Sequence, residues 1–106
     1  MGDALKPADF HILLALAERP LHGYGLMKEV ERESSGRVWL EIGSLYRILA
    51  RLLESGLIAE GDSDERRRQY RITTLGRRLL KEEAQRLEAL VELSRARKLL
   101  SEGRAG

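Results

Sequence analysis

The chain has 106 residues, enough for one small domain, and it contains no cysteine, which excludes disulfides, thiol nucleophiles and thiolate metal sites. Its 19 basic and 17 acidic residues leave a formal net charge of +2, so net charge alone does not indicate a nucleic-acid partner. No apolar run approaches the ~18 residues of a membrane span, and the first residues lack the pattern of a secretion signal. These features favour a cytoplasmic protein with no membrane partner.

A first helix is predicted between Pro7 and Pro20, where apolar residues recur at the spacing of one helical face. Asp9 is in position to cap its first turn, because a short side-chain oxygen there reaches unpaired backbone N–H groups. The segment PLHGYG, residues 20–25, contains one proline and two glycines, which disfavour any regular element. We therefore expect a turn between this helix and the next.

A second helix is predicted at about 24–34, and the residues SSG that follow it mark its end. The next four residues, RVWL at 37–40, are rich in strand formers and predict a short extended piece. Trp39 is expected to lie in the core or to brace the third helix from below.

A third helix, at about 43–55, is the clearest amphipathic segment of the chain. One face is a broad apolar stripe. On the other face, Ser44, Arg47 and Arg51 recur at i, i+3 and i+7, with Tyr46 beside them. This outer face is small and partly basic, and it points away from the core. Arginines on an ordinary solvated helix face are the alternative interpretation.

Two short strands follow, LIAE at 57–60 and QYRIT at 69–73, and the polar loop between them predicts a hairpin with an exposed tip. The loop ends in three arginines. Neighbouring residues on an extended segment face opposite sides, so Arg66 and Arg68 are expected on one side and Arg67 on the other. The alternative is a solvated loop whose arginines are neutralised by the acidic residues just before them.

A last helix is predicted from Thr73 or Thr74, which supplies its cap, to about Leu100. Its apolar seam recurs at alternating four- and three-residue steps and comprises Leu80, Ala84, Leu87, Leu90, Val91 and Ser94. A helix of ~25 residues is close to 40 Å long, which is more than a three-helix core covers. We therefore expect a second copy of the chain to bury its far half.

The order of these elements is that of a winged helix-turn-helix domain, in the mainly α class with a small β-hairpin (α+β). Residues 1–73 would form the DNA-binding part and residues 74–106 the dimerisation helix of one compact domain. In this arrangement the third helix enters the major groove of double-stranded DNA, and the wing at 61–69 contacts the flanking backbone or the minor groove. Arginines bind phosphates or guanine edges, while serine and tyrosine hydroxyls hold phosphates.

Other chemistry finds little support in the sequence. No nucleophile, base and orienting group occur together, and no carboxylates are paired for acid and base work. His11 and His22 lack companion ligands for a metal ion. The sequence therefore predicts neither an enzyme, nor a metal site, nor a cofactor.

Three segments together resemble the PadR family of bacterial transcriptional regulators: LHGYGLMKEV at 21–30, GSLYRILARLLESGLI at 43–58 and RRRQYRITTLGRRLL at 66–80. The resemblance implies a dimeric repressor whose recognition helix carries the LYR segment at 45–47, with a basic wing and a final dimerisation helix. In length the chain is similar to the short subgroup, which has one C-terminal helix in place of a larger domain.

Two departures from the family pattern bear on this resemblance. Many relatives have a proline shortly before the LY pair, where this chain has EIGS at 41–44, so the start of the third helix is open. Some short members stack flat ligands on a tryptophan of the last helix, and no aromatic residue follows Tyr70 here. Two alternatives also remain: a winged-helix module that binds proteins, and a regulator with a small-molecule effector at the dimer interface.

Overall fold

The computed structural model describes residues 5–61 and 68–101 of the chain. In chain order its elements are α1 (Pro7–Glu18), β1 (Leu21–His22), α2 (Gly23–Glu33), α3 (Ile42–Glu54), β2 (Ile58–Glu60), β3 (Gln69–Ile72) and α4 (Thr74–Ala96). The strands form one antiparallel sheet in the order β1-β3-β2. The predicted class, mainly helical with a small hairpin, is confirmed, and the sheet has one strand more than expected.

Helix α1 begins earlier than predicted because proline is tolerated in the first turn. Pro7 is its first residue, Lys6 is the N-cap residue, and no side chain caps the helix. The prediction that Asp9 is the cap is therefore wrong. Asp9 lies inside the helix, is only 3% exposed, and binds a side chain of α3 instead.

The segment predicted as a turn contains the two-residue strand β1. Leu21 pairs with Tyr70 and His22 with Gln69, so β1 adds an antiparallel edge to the hairpin formed by β2 and β3. The prediction of a turn without regular structure was wrong at these two residues. Their strand conformation depends on a partner some 50 residues later in the chain, and no local pattern reports that partner.

The segment between α2 and α3 alternates inward and outward side chains, as an extended chain does. Val38 packs against the core and Leu40 is 8% exposed, whereas Trp39 between them is 63% exposed. The expectation that Trp39 lies in the core is therefore wrong, and a brace for α3 stays a prediction. Residues 37–40 form no strand, so the short extended piece predicted there is not part of the sheet.

The core lies where α1, α2, α3 and the sheet meet. Its largest fully buried side chains are Ile12, Leu13, Leu16, Leu26, Val30, Leu45, Leu49, Leu52 and Ile58. Helix α3 ends at Glu54, and Gly56 at φ +78° turns the chain into β2. Packing of α3 against the core thus fixes which of its faces is left for solvent.

Helix α4 starts as predicted and ends four residues earlier than predicted. The Thr73 hydroxyl accepts a hydrogen bond from the Gly76 backbone N–H at 3.0 Å, which confirms a threonine cap. The Arg77 side chain donates to the Ala17 carbonyl at 3.3 Å and joins α4 to the end of α1. At the other end, Lys98 adopts a left-handed φ of 65° just after the helix.

Candidate nucleic-acid interface

The outer face of α3 is open and partly basic. Gly43, Arg47 and Ala50 are all exposed, and apart from the local backbone of α3 and the two chain neighbours, no heavy atom lies within 4 Å of the position that a Cβ of Gly43 would occupy. The Arg47 guanidinium donates from Nη2 to the Ser44 hydroxyl at 3.3 Å, so these two predicted site residues are neighbours. A face with small side chains at both ends and a cation between them allows close approach to another surface.

Tyr46 lies on the flank of this face and packs on the start of α2. A Cβ at Gly23 would overlap the Tyr46 hydroxyl and come within 2.9 Å of Cζ, so the absence of a side chain at Gly23 makes room for the ring. Burial raises the pKa of Tyr70 on β3, and the Tyr46 hydroxyl adds to the rise. Tyr46 is 46% exposed, so packing leaves much of its ring accessible.

Arg51 lies on the opposite flank, where α3 meets the start of α1. Its Nη2 donates to Asp9 Oδ1 at 2.8 Å and its Nη1 to Oδ2 at 3.2 Å, a bidentate pair. The hydrogen bond to Asp9 raises the pKa of Arg51 above its ordinary value. The Asp9 side chain is 5% exposed and the Arg51 side chain 47%, so the pair is anchored in the protein and open on the arginine side.

Of the three arginines predicted on the wing, the structure describes Arg68. Arg68 lies just before β3, and its guanidinium forms an ion pair with Glu60 of β2 at 3.2 Å. A carboxylate of the facing strand therefore restrains Arg68. Arg66 and Arg67 lie outside the described residues, as does the rest of the segment 62–67.

The residues of the predicted dimer seam fall into two groups on α4. Leu80 is 7% exposed and packs in the core of its own chain, which leaves little of it for a partner. Ala84 is exposed, and Leu87 and Ser94 are half-buried. Leu90 and Val91 are 46% and 40% exposed. The apolar surface that the chain itself leaves open thus lies in the outer half of α4.

Two partners in this region were missed by sequence reasoning, and both are acidic. Asp9 is 42 residues from Arg51 and Glu60 lies on the strand facing Arg68, so neither pairing has a local signature. An exposed apolar surface at the start of α3, formed by Trp39 and Ile42 at 63% and 54% exposure, was also missed. A signal for it was present, since Ile42 stands at the helix start outside the core stripe.

Within residues 5–61 and 68–101 no helix is both long and apolar enough to cross a membrane. The same part of the chain holds no group of three histidine, aspartate or glutamate side chains close enough to bind a metal ion.

Comparison with protein families finds one match over most of the chain. Residues 12–82 match the model of the transcriptional regulator PadR-like family. The matched range runs from α1 to the first turns of α4 and includes α3 and the hairpin.

Solved structures of regulators share this fold. A transcriptional regulator from Clostridium thermocellum is 28% identical, with a TM-score of 0.72 over 84% of this chain and 87% of that one. A PadR family transcription regulator from Clostridium difficile is 25% identical, with a TM-score of 0.73 over 86% and 97%. The family and these relatives are transcriptional regulators and not enzymes.

A sequence relative of greater length is an uncharacterized 37.1 kDa protein of a Streptomyces fradiae transposon. The two are 40% identical over 83 residues, which is 78% of this chain but 24% of the relative. The chain thus spans about a quarter of the length of that relative.

Proposed function

Since the chain belongs to the PadR-like family of transcriptional regulators, we propose that it is a homodimeric repressor that binds double-stranded DNA at an inverted repeat. Helix α3 enters the major groove, and the wing contacts the flanking backbone or minor groove. The observation that carries this proposal is the outer face of α3, where Arg47 is exposed between the small residues Gly43 and Ala50. Its place of action is the cytoplasm.

We assign DNA contacts to both parts of the interface, α3 and the wing. The contacting residues are Ser44, Tyr46, Arg47 and Arg51 on α3 and Arg66, Arg67 and Arg68 on the wing. Arg47 is central on the open face and is the candidate for a guanine edge, because a guanidinium bonds both acceptors of that edge. The wing arginines bind phosphates, which position the protein without selecting a sequence.

Dimerisation uses the outer half of α4. Leu90 and Val91 are apolar side chains that their own chain leaves exposed. Burying them against a second copy removes apolar surface from water. A two-fold axis between paired α4 helices then presents two α3 helices to half-sites about one helical turn apart. Ala84, Leu87 and Ser94 complete this seam.

An effector site between the paired α4 helices is a further part of the proposal. Thr74–Ala96 contains no aromatic residue, so a ligand there would meet aliphatic and charged side chains. A thermal-shift panel of small hydrophobic and phenolic compounds tests this site, because a ligand that binds only the folded dimer raises its melting temperature. A panel that leaves the melting temperature unchanged would argue against these compound classes as effectors.

The experiment that tests the proposed function is capture of genomic DNA fragments by the purified protein, followed by mobility shifts at two salt concentrations. We expect a small set of fragments to be enriched, and their affinity to fall steeply with salt because bound phosphates release counterions. Absence of any retained fragment, or association that does not respond to salt, would instead favour a module that binds proteins.

A further inference from the structure

A groove lies between the start of α1 and the middle of α3, on the flank of the proposed DNA face. It is open to solvent, has a volume of about 370 Å³ and is lined by Lys6, Ala8, Asp9, Arg47, Ile48 and Arg51. Three of these side chains are cations and one is a carboxylate, so the lining carries a formal charge of +2, three minus one. Ala8 and Ile48 supply the apolar part of the lining.

The single carboxylate of the groove is already bound. Asp9 accepts two hydrogen bonds from Arg51, and its side chain is 5% exposed. A guanidinium has about five N–H donors, and this pairing uses one on each terminal nitrogen. The remaining donors of Arg51 are available to a group in the groove, while Asp9 fixes the orientation of the guanidinium. Asp9 is thus a positioning residue for Arg51.

Two further cations complete the lining from different elements. Lys6 comes from the N-cap position of α1, and its side chain is exposed. Arg47 comes from the open face of α3 and is held near Ser44 by a 3.3 Å hydrogen bond. The groove therefore combines one oriented guanidinium, a second guanidinium and an ammonium, a set that suits the several oxygens of a phosphate.

We propose that this groove binds one phosphate group, and that in the complex the phosphate belongs to the DNA backbone beside the half-site that α3 reads. The inference rests on the proposed function, since it takes α3 to lie in the major groove. It adds Lys6 as a contact residue and Asp9 as the residue that orients Arg51. It also divides the arginines of α3, with Arg51 bound to the backbone and Arg47 shared between the groove and the base edges.

The test is a scan of the operator with methylphosphonates, which replace one charged phosphate oxygen at a time with a neutral methyl group. Binding of each modified duplex is measured for the wild type, for Lys6→Gln, and for Lys81→Gln as the control. Lys81 is exposed on α4 and lies outside the groove. Both lysines are exposed, so both variants should fold, and melting temperatures equal to the wild type confirm it.

We expect the wild type to lose affinity by about tenfold at one phosphate of each half-site, as for a charge-assisted contact. In Lys6→Gln the same methylphosphonate should cost measurably less than in the wild type, because one of the three cations that face the phosphate has already been removed. Its plot of log affinity against log salt should be shallower by about 0.9 for each half-site. Lys81→Gln should keep the wild-type profile at every phosphate.

Other results separate the failure of this inference from failure of the proposed function. If Lys6→Gln keeps the wild-type methylphosphonate profile while binding DNA, the groove assignment is overturned and DNA binding stands. If the wild type binds no duplex, the proposed function itself fails.

A second measurement follows the melting temperature with inorganic phosphate added at constant ionic strength. If phosphate raises the melting temperature of the wild type but not of Lys6→Gln, and no methylphosphonate has an effect, the groove binds free phosphate and its assignment to DNA is overturned.

Discussion

Helices α3 and α4 carry similar apolar stripes, yet the chain covers only one of them. On α3, Leu45, Leu49 and Leu52 are at most 1% exposed. On α4, the last buried residue is Glu83, and Leu90, Val91 and Leu93 beyond it are 40 to 46% exposed. A periodic stripe therefore predicts that a helix face will be covered, but it does not identify the partner. For α3 the partner is the rest of the same chain. For α4, in our proposal, the partner is a second copy.

The largest expected effect comes from removing a covered side chain of α3. Leu49→Ala should lower the free energy of unfolding by about 2 to 5 kcal/mol, since it leaves a cavity in a closely packed core. Leu90→Ala makes the same chemical change on α4 and is the matched comparison. Denaturant unfolding at several protein concentrations measures both. The effect of Leu49→Ala should exceed that of Leu90→Ala most clearly in dilute solution, where the dimer contributes least; equal effects at every concentration would contradict the distinction.

A charge placed on the open stripe of α4 should separate the two copies. Val91→Glu should weaken dimerisation by about a hundredfold, because a carboxylate would be buried without a partner. Sedimentation equilibrium measures the change. Gln85→Glu introduces the same residue on the polar face of α4 and should leave the dimer intact. A Val91→Glu variant that remains dimeric would show that another surface joins the copies.

On the outer face of α3, a smaller effect is expected for the residue proposed to read bases. Arg47→Ala should reduce discrimination at one base pair of each half-site by about 1 to 3 kcal/mol. Competition binding against operators altered at single positions measures it. Arg78→Ala, on the exposed side of α4, is the control and should leave base preference unchanged. If Arg47→Ala weakens all sequences equally, its role is limited to phosphate contact.

The smallest effect is expected at the wing. Arg68→Ala should weaken binding to all sequences alike and reduce the salt slope by about 1 per chain. Glu60→Gln is the opposite change, because it removes the carboxylate that pairs with Arg68 in the free protein. It should strengthen binding to all sequences slightly. Fluorescence anisotropy over a salt series measures both, and effects of the same sign would argue that the pair only stabilises the hairpin.

The sequence predicted those parts of the fold that depend on local pattern. Three such features act within a few residues and follow from the sequence. They are the apolar spacing of α3, Gly56 after it and the threonine at the start of α4. The end of α4 was predicted too late. No glycine or proline marks it, and the chain leaves the helix through the left-handed Lys98.

Features that depend on distant partners were not predicted. Strand β1 exists because β3 pairs with it, and Asp9 is buried because Arg51 reaches it across 42 residues. Sequence spacing on one helix placed Ser44, Arg47 and Arg51 on one face, but it could not show that one arginine is already bound to a carboxylate. The candidate interface was thus predicted as a set of residues, while its internal pairing required the structure.

The central claim is that α4 joins two copies whose α3 helices read two half-sites. The most direct test measures affinity for the selected inverted repeat and for the same half-sites moved apart by five base pairs, or half a helical turn. We predict two chains per duplex on the natural repeat and a loss of at least about tenfold on the altered one, where the half-sites face opposite sides of the helix. Equal affinity for the two duplexes, or one chain per duplex on both, would contradict the account.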